Sequence, residues 1–225
     1  MMWRKAWLET RWKLALMALL DALILALLLE DGGSAAAWHA RLAGAIPMLP
    51  IMNGVVLASA GIGTQTSFRP RQTLHPSMMF TLSLPIARWR LVLVREAVGA
   101  LATAGLTAAM LTALWVASPG VRALLTPIQF AVYGIAVLAS AAVAYGISAV
   151  LATLLDDLWQ TYGALVSVAI LVFALPPVRI WTGLLPGPEG SVSGASGAAL
   201  EILLACALAG SLSLLSVKVV ERRQF

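Results

Sequence analysis

From residue 127 to residue 155 the chain reads PIQFAVYGIAVLASAAVAYGISAVLATLL, without one charged side chain. A run of this length and polarity leaves few folds open. The hydrocarbon core of a bilayer, about 30 Å thick, takes about 20 apolar residues as a helix. Backbone groups in lipid must find partners within the protein, which restricts spanning elements to helices and closed barrels. A barrel strand alternates polar and apolar residues, and these Leu, Ala and Val runs do not alternate. The expected fold is therefore an all-α membrane protein. At 60% hydrophobic and 11% charged, against about 25% charged residues in ordinary soluble domains, the chain holds apolar residues for about six spans and no separate soluble domain. The runs place these spans at about 14–29, 44–62, 91–117, 127–155, 162–180 and 198–217, within one transmembrane domain covering residues 1–225.

The first span invites a second reading, because MMWRKAWLETRWK before it and SAAAWHA after it are patterned like a secretory leader and its cleavage site. Its apolar run is at the long end for a leader and carries Asp21 in the middle, so a retained helix is expected. Lysine and arginine orient the spans. Twelve of the fifteen (Arg4, Lys5, Arg11, Lys13, Arg69, Arg71, Arg88, Arg90, Arg95, Lys218, Arg222, Arg223) fall on one side, and only Arg41, Arg122 and Arg179 on the other. Positive residues stay inside, so the termini are expected in the cytoplasm and the protein in the cell (plasma or inner) membrane as a multi-pass protein. The eight tryptophans follow the same geometry, with Trp3, Trp7, Trp12, Trp89 and Trp159 at the inner boundary and Trp38, Trp115 and Trp181 at the outer one. The net charge of +5 is spread along the inner border without stacking motifs. It points to anionic membrane lipid as a partner and not to nucleic acid. The single cysteine, Cys206, sits inside the last apolar run and is expected only to pack.

Chemistry inside a membrane needs acids, bases or metal ligands gathered at one depth. The chain has no HExxH, GxGD, Dx3D or Walker lysine loop, and His39 and His75 are expected in loops, so it reads as non-catalytic and without a metal or cofactor of its own. Asp21 is the one acid expected near the midplane. A carboxylate there is costly enough to count as a candidate for a substrate path or gate, against a structural role as a protonated or paired residue facing Asn53 or Arg95. Span two, GAIPMLPIMNG, carries Pro47, Pro50, Asn53 and Gly54, which break the helical ladder where a neighbour or a water-filled path satisfies the freed carbonyls. Asp21 and Asn53 are thus the candidates for lining a translocation path. Small residues at Gly99 and Thr103, and at Ala142 and Gly146, permit close helix contact. One of Asp156 and Asp157, in the tight loop DDLWQTYG, is expected to cap the helix that follows.

The segment between spans two and three, GTQTSFRPRQTLHPSMMFTLSLPIARWR, is the longest expected on the cytoplasmic side. Within it Met78, Met79, Phe80, Leu82 and Leu84 make a compact apolar patch suited to a groove on another protein, or to lying on lipid. Pro85 ends any helix before Arg88 and Trp89 anchor the next span. Here the chain resembles the membrane-spanning subunit of ABC-2 type transporter permeases. The resemblance rests on TLSLP-I-x-R running into a leucine-rich, arginine-containing third span, TLSLPIARWRLVLVRE, and is supported by WRKAWLETR before span one and by the six-span pattern. It implies a coupling element over Met78, Met79, Phe80, Leu82, Ser83, Leu84, Pro85 and Arg88 that is received by a separate ATP-binding subunit. It implies an interfacial helix over about residues 2–13, with Trp3, Arg4, Trp7 and Arg11, and assembly of two such permeases, identical or not, with two ATPases that bind the ATP and Mg. The implied function is ATP-driven export of a substrate that the spans do not specify. An ion-gradient-driven secondary transporter with Asp21 as its titrating carboxylate is the alternative, and it would show paired broken spans. Here only span two is broken, with Pro176 and Pro177 a poor counterpart.

Overall fold

The computed structural model describes residues 2–30, 33–58, 88–154, 166, 185 and 195–222. Among them there is no strand, and the chain forms seven helices: α1 (Met2–Glu30), α2 (Ala35–Ala43), α3 (Ala45–Ala58), α4 (Arg88–Ala117), α5 (Pro119–Leu124), α6 (Pro127–Leu154) and α7 (Ala195–Arg222). Five stretches are long and apolar enough to cross a membrane: Ala6–Glu30, Ala35–Ala58, Val92–Ala117, Pro127–Ala152 and Ile202–Val219. The protein is a helical membrane protein. The span expected at 162–180 lies outside the described residues, as do Met78 to Pro85, Asp156, Asp157, Pro176 and Pro177.

α6 is the centre of the bundle, packed against α3 and α7 along most of its length, while α1 lies chiefly on α4. Tyr133, Ala136, Val137, Ala141 and Val143 of α6 are all buried, and Leu42, Ile46 and Ile51 of α2 and α3, with Leu114 of α4, complete the core around them. α6 reads as apolar on every face because it is covered on most of them. Side-chain contacts give the directions. Gly134 faces Leu111 and Gly99 faces Tyr145, so α4 runs opposite to α6; Gly146 faces Leu212 while Ser216 reaches Glu96, so α7 runs with α6. α1 runs with α4: Asp21 meets Asn53 and Leu28 meets Arg41, so α1 runs opposite to α2 and α3, which run with α6 through the contacts Leu42–Tyr133 and Gly54–Ala141. One end of the bundle thus holds the start of α1, the end of α3, the start of α4 and the ends of α6 and α7.

Three expectations change. The interfacial helix over residues 2–13 is not a separate element: α1 is a single 29-residue helix. Nothing between Arg11 and Leu14 can stop it, since the stretch has no Gly, Pro or cap and is built of strong helix formers. The stretch long and apolar enough to serve as span two begins earlier than residue 44, because α2 and α3 join in one such stretch, Ala35–Ala58. That puts His39 in a helix and not in a loop, and buries Trp38 against Gly120 and under Arg41, whose guanidinium carbon is 4.9 Å from the ring centroid. Cys206 is exposed on α7, on a face directed away from the described helices.

The joints at the opposite end are well capped. Ser34 and Ser118 accept from the amides of Ala37 and Val121 at 3.3 Å and 3.2 Å, at the starts of α2 and α5. Thr126 and Gln129 form a reciprocal capping box before α6, with Gln129 Oε1 accepting from Thr126 N at 2.9 Å and Thr126 Oγ1 from Gln129 N at 3.3 Å. Arg41 donates to the Leu28 carbonyl at 2.7 Å, and Arg122 to those of Trp115 and Val116 at 3.0 Å and 2.6 Å. Two cations therefore close the C-terminal ends of α1 and α4, where free carbonyls favour positive charge.

Candidate functional site: a polar seam through the bundle

α1 buries Ala6, Thr10, Met17, Asp21 and Leu25, spaced so that they share one helical face. Asp21 therefore points inward because the stripe that docks α1 does. Across from it, α3 buries Asn53 completely, and the Asn53 amide Nδ2 donates to Asp21 Oδ2 at 2.6 Å. Of the two partners weighed from the sequence, the structure brings Asn53 to Asp21. The second oxygens of both groups, Asp21 Oδ1 and Asn53 Oδ1, have no hydrogen-bond partner among the described residues.

Asn53 is delivered by the break in span two. Gly44 ends α2, its N–H returning to the Ala40 carbonyl at 3.0 Å, and Pro47 falls in the first turn of α3, where a missing N–H costs nothing. The carbonyl of Leu42, freed by this break, accepts the hydroxyl of Tyr133 at 2.8 Å. Beside Asn53, Gly54 lets α3 meet α6 backbone to backbone: a methyl group added there would lie 2.6 Å from the Ala141 carbonyl oxygen and 3.2 Å from the Tyr145 nitrogen. The broken span is thus held by a neighbouring helix, with a tyrosine in place of water.

A second pair lies nearer the end where α4 begins. Glu96 of α4 meets the hydroxyl of Ser216 on α7, which also reaches the Ser213 carbonyl at 2.7 Å. Tyr145 of α6 donates to the Glu96 backbone carbonyl at 2.9 Å, its ring lying in the space that Gly99 leaves. Thr103 turns back to the Gly99 carbonyl at 3.0 Å. Thr107 and Ser148 also bury hydroxyls, which have no hydrogen-bond partner among the described residues. The contacts Gly99–Tyr145, Leu111–Gly134 and Gly54–Ala141 place Thr107 within about one helical turn of the depth of Asn53. Buried polar groups are therefore contributed by α1, α3, α4, α6 and α7, in two separate hydrogen-bonded pairs and two hydroxyls unpaired among the described residues. No group of three metal-ligating side chains forms among the described residues.

Trp3, Arg4 and Trp7 do not touch this seam. They line a groove of about 740 Å³ between α1 and α4 together with Leu14, Ala18, Leu101 and Gly105. Arg11 sits with its guanidinium carbon 5.6 Å from the Trp12 ring centroid. Arg88 is the first residue of α4. Sequence reasoning missed the Glu96–Ser216 pair and the two tyrosines. Their signal was the presence of polar groups among apolar runs, but a serine in a span bonds its own helix as readily as another. No family model matches the chain, and neither a curated protein nor a solved structure matches it.

Proposed function

We propose that the chain is the membrane-spanning subunit of an ATP-driven exporter of the ABC-2 type, working as a dimer of permeases with two separate ATP-binding subunits. The observation that carries this reading is the run TLSLPIARWRLVLVRE, in which an apolar patch and a proline lead straight into the basic start of α4. α4 is one helix of 30 residues that carries Glu96, Gly99, Thr103 and Thr107. A displacement applied at Met78 to Pro85 would move those residues as a rigid unit, because a helix without Pro or a bulge transmits axial force. ATP and Mg belong to the partner, and this chain supplies the path and the lever. The expected orientation has both termini in the cytoplasm, with the coupling segment facing the ATPase.

The test is the pair Phe80→Ala and Leu84→Ala. A groove that receives an anchor loses roughly 2 kcal/mol or more when it is truncated, whereas a helix lying on lipid loses apolar contact without affecting any partner. The double variant is expected to remain inserted and dimeric, yet to release the ATPase on purification or lose substrate-stimulated hydrolysis. Full retention of ATPase with normal stimulation would refute the coupling assignment. The Asp21–Asn53 pair favours a second reading, transport driven by an ion gradient. In sealed vesicles, uptake that persists without ATP and collapses with an ionophore would select it.

A further inference from the structure

The Asp21–Asn53 contact is chemically incomplete as two heavy-atom groups. Asn53 Nδ2 donates to Asp21 Oδ2 at 2.6 Å, while the oxygens on the other side of each group, Asp21 Oδ1 and Asn53 Oδ1, accept nothing from the described residues. Asp21 is 3% exposed and Asn53 0%. An ionised carboxylate in that position would hold a full charge in a lipid-embedded bundle with one hydrogen bond to it, a costly arrangement. Among the described residues, the helices packed against it bring no cation to its depth. α3 has no ionisable residue. On α4 the stretch from Ala97 to Ala117 has none, and Arg90, Arg95 and Glu96 lie toward the start of the helix, Arg95 about two turns from the level of Asn53 that the Gly54–Ala141 and Leu111–Gly134 contacts set. α6 offers only Tyr133 and Tyr145, whose hydroxyls are given to Leu42 and Glu96. On α1 itself, Lys13 and Glu30 are about two turns away on either side.

One hydrogen atom completes the pair. A neutral carboxyl has one O–H donor and one free acceptor, the mirror of a carboxamide. With the proton on Oδ1, Asp21 donates to Asn53 Oδ1 while Asn53 Nδ2 donates to Asp21 Oδ2, and both orphan oxygens are used in a closed two-bond ring. We propose that Asp21 and Asn53 form a proton-binding site that ties α1 to α3, occupied by one proton in the folded resting state. Loss of that proton to solvent leaves a carboxylate oxygen against an amide oxygen, so release favours separation of the two helices. The site holds for an ATP-driven or a gradient-driven transporter alike.

Infrared difference spectroscopy on the full chain in lipid nanodiscs tests it directly. The chain contains four aspartates, Asp21, Asp31, Asp156 and Asp157, so Asp31→Asn with Asp156→Asn and Asp157→Asn leaves Asp21 alone to respond to carbon-13 aspartate. The expected result at neutral pH is an isotope-shifted carbonyl stretch of a protonated, hydrogen-bonded carboxyl, absent in a chain that also carries Asp21→Asn. The same band is expected from the unsubstituted labelled chain, so the result does not depend on the folding of a variant. In Asn53→Ala the band should move to the frequency of a free carboxyl or vanish into carboxylate. Only carboxylate stretches from Asp21 at neutral pH would overturn the proposal. So would a protonated band that is displaced by sodium or potassium ions, which would make the occupant a metal cation, or one unmoved by Asn53→Ala.

Discussion

At the scale of single residues, the bundle depends on a few places where a side chain is absent. Gly54 is the tightest that can be read from backbone alone, since the atoms a new methyl would meet, the Ala141 carbonyl at 2.6 Å and the Tyr145 nitrogen at 3.2 Å, cannot swing aside. Gly54→Ala should therefore force α3 off α6 and lower stability by about 1–3 kcal/mol, as overpacking does. Gly210→Ala, with open space around it, should be neutral or slightly stabilising, because alanine favours the helix by about 1 kcal/mol over glycine. Thermal unfolding of the two variants in the same detergent compares them; equal midpoints would mean that α3 and α6 are not in backbone contact. Tyr133→Phe tests the other half of the joint. It removes only the hydroxyl that serves the Leu42 carbonyl at 2.8 Å, and an orphaned buried acceptor costs about 1–3 kcal/mol. A midpoint as high as that of the unsubstituted protein would show that another donor reaches that carbonyl.

Among the elements, those with long uninterrupted apolar runs were legible in the sequence, and those made by interruption were not. α4 and α6 coincide with their expected spans because hydropathy alone defines them, and Pro119, Pro127 and the capping residues Ser118 and Thr126 mark their boundaries. The start of span two was misplaced because Ala35 to Ala43 carries His39 and Arg41, which lower its hydropathy. What buries that stretch is tertiary: Trp38 fills the space at Gly120, and Arg41 turns back to Leu28. The Asp21–Asn53 contact was readable as one of two options, since depth can be counted along a helix but the rotation of one helix about another cannot. The Glu96–Ser216 pair spans 120 positions of sequence, and no local pattern encodes it. Arg41 and Arg122 gain a meaning that charge counting could not give them, because they are basic residues on the sparse side that cap helix C-termini. Arg41→Ala is accordingly expected to loosen the joint between α1 and α2, seen as faster amide exchange over Leu25 to Glu30 and over α2. Arg41→Lys should restore part of the protection, as an ammonium can also bond a terminal carbonyl. Exchange unaltered in Arg41→Ala would assign the cap to solvent.

For the whole molecule, the directions of the helices make a demand on topology. α1 starts, α3 ends, α4 starts and α7 ends at one end of the bundle, where Arg4, Arg11, Lys13, Arg90, Arg95 and Lys218 gather, while Arg41 and Arg122 mark the other end. Independent features, side-chain register and charge, thus sort the helix ends in the same way, and the positive-inside rule turns that sorting into an expected orientation with the basic end in the cytoplasm. α6 and α7 run in the same direction, so α7 begins at the end opposite to that where α6 stops. The apolar run at 162–180 falls between them in sequence, and the crossing expected there from its composition would bring the total to an even number with both termini on one side. Cysteine scanning tests this directly once the native Cys206, exposed on α7, has been replaced by alanine. Single cysteines near Arg122 and near Glu189 should react with a membrane-impermeant maleimide added to intact cells. Those near His75 and Asp157 should react only after the membrane is opened. A cysteine beside Glu189 that is protected in intact cells, with one beside Arg122 labelled, would put those two loops on opposite sides and leave α6 and α7 antiparallel, against the contacts of Gly146 with Leu212 and of Glu96 with Ser216. Labelling at His75 from outside would instead invert the basic end, and with it remove the proposed coupling segment from the compartment in which the proposed ATPase would meet it.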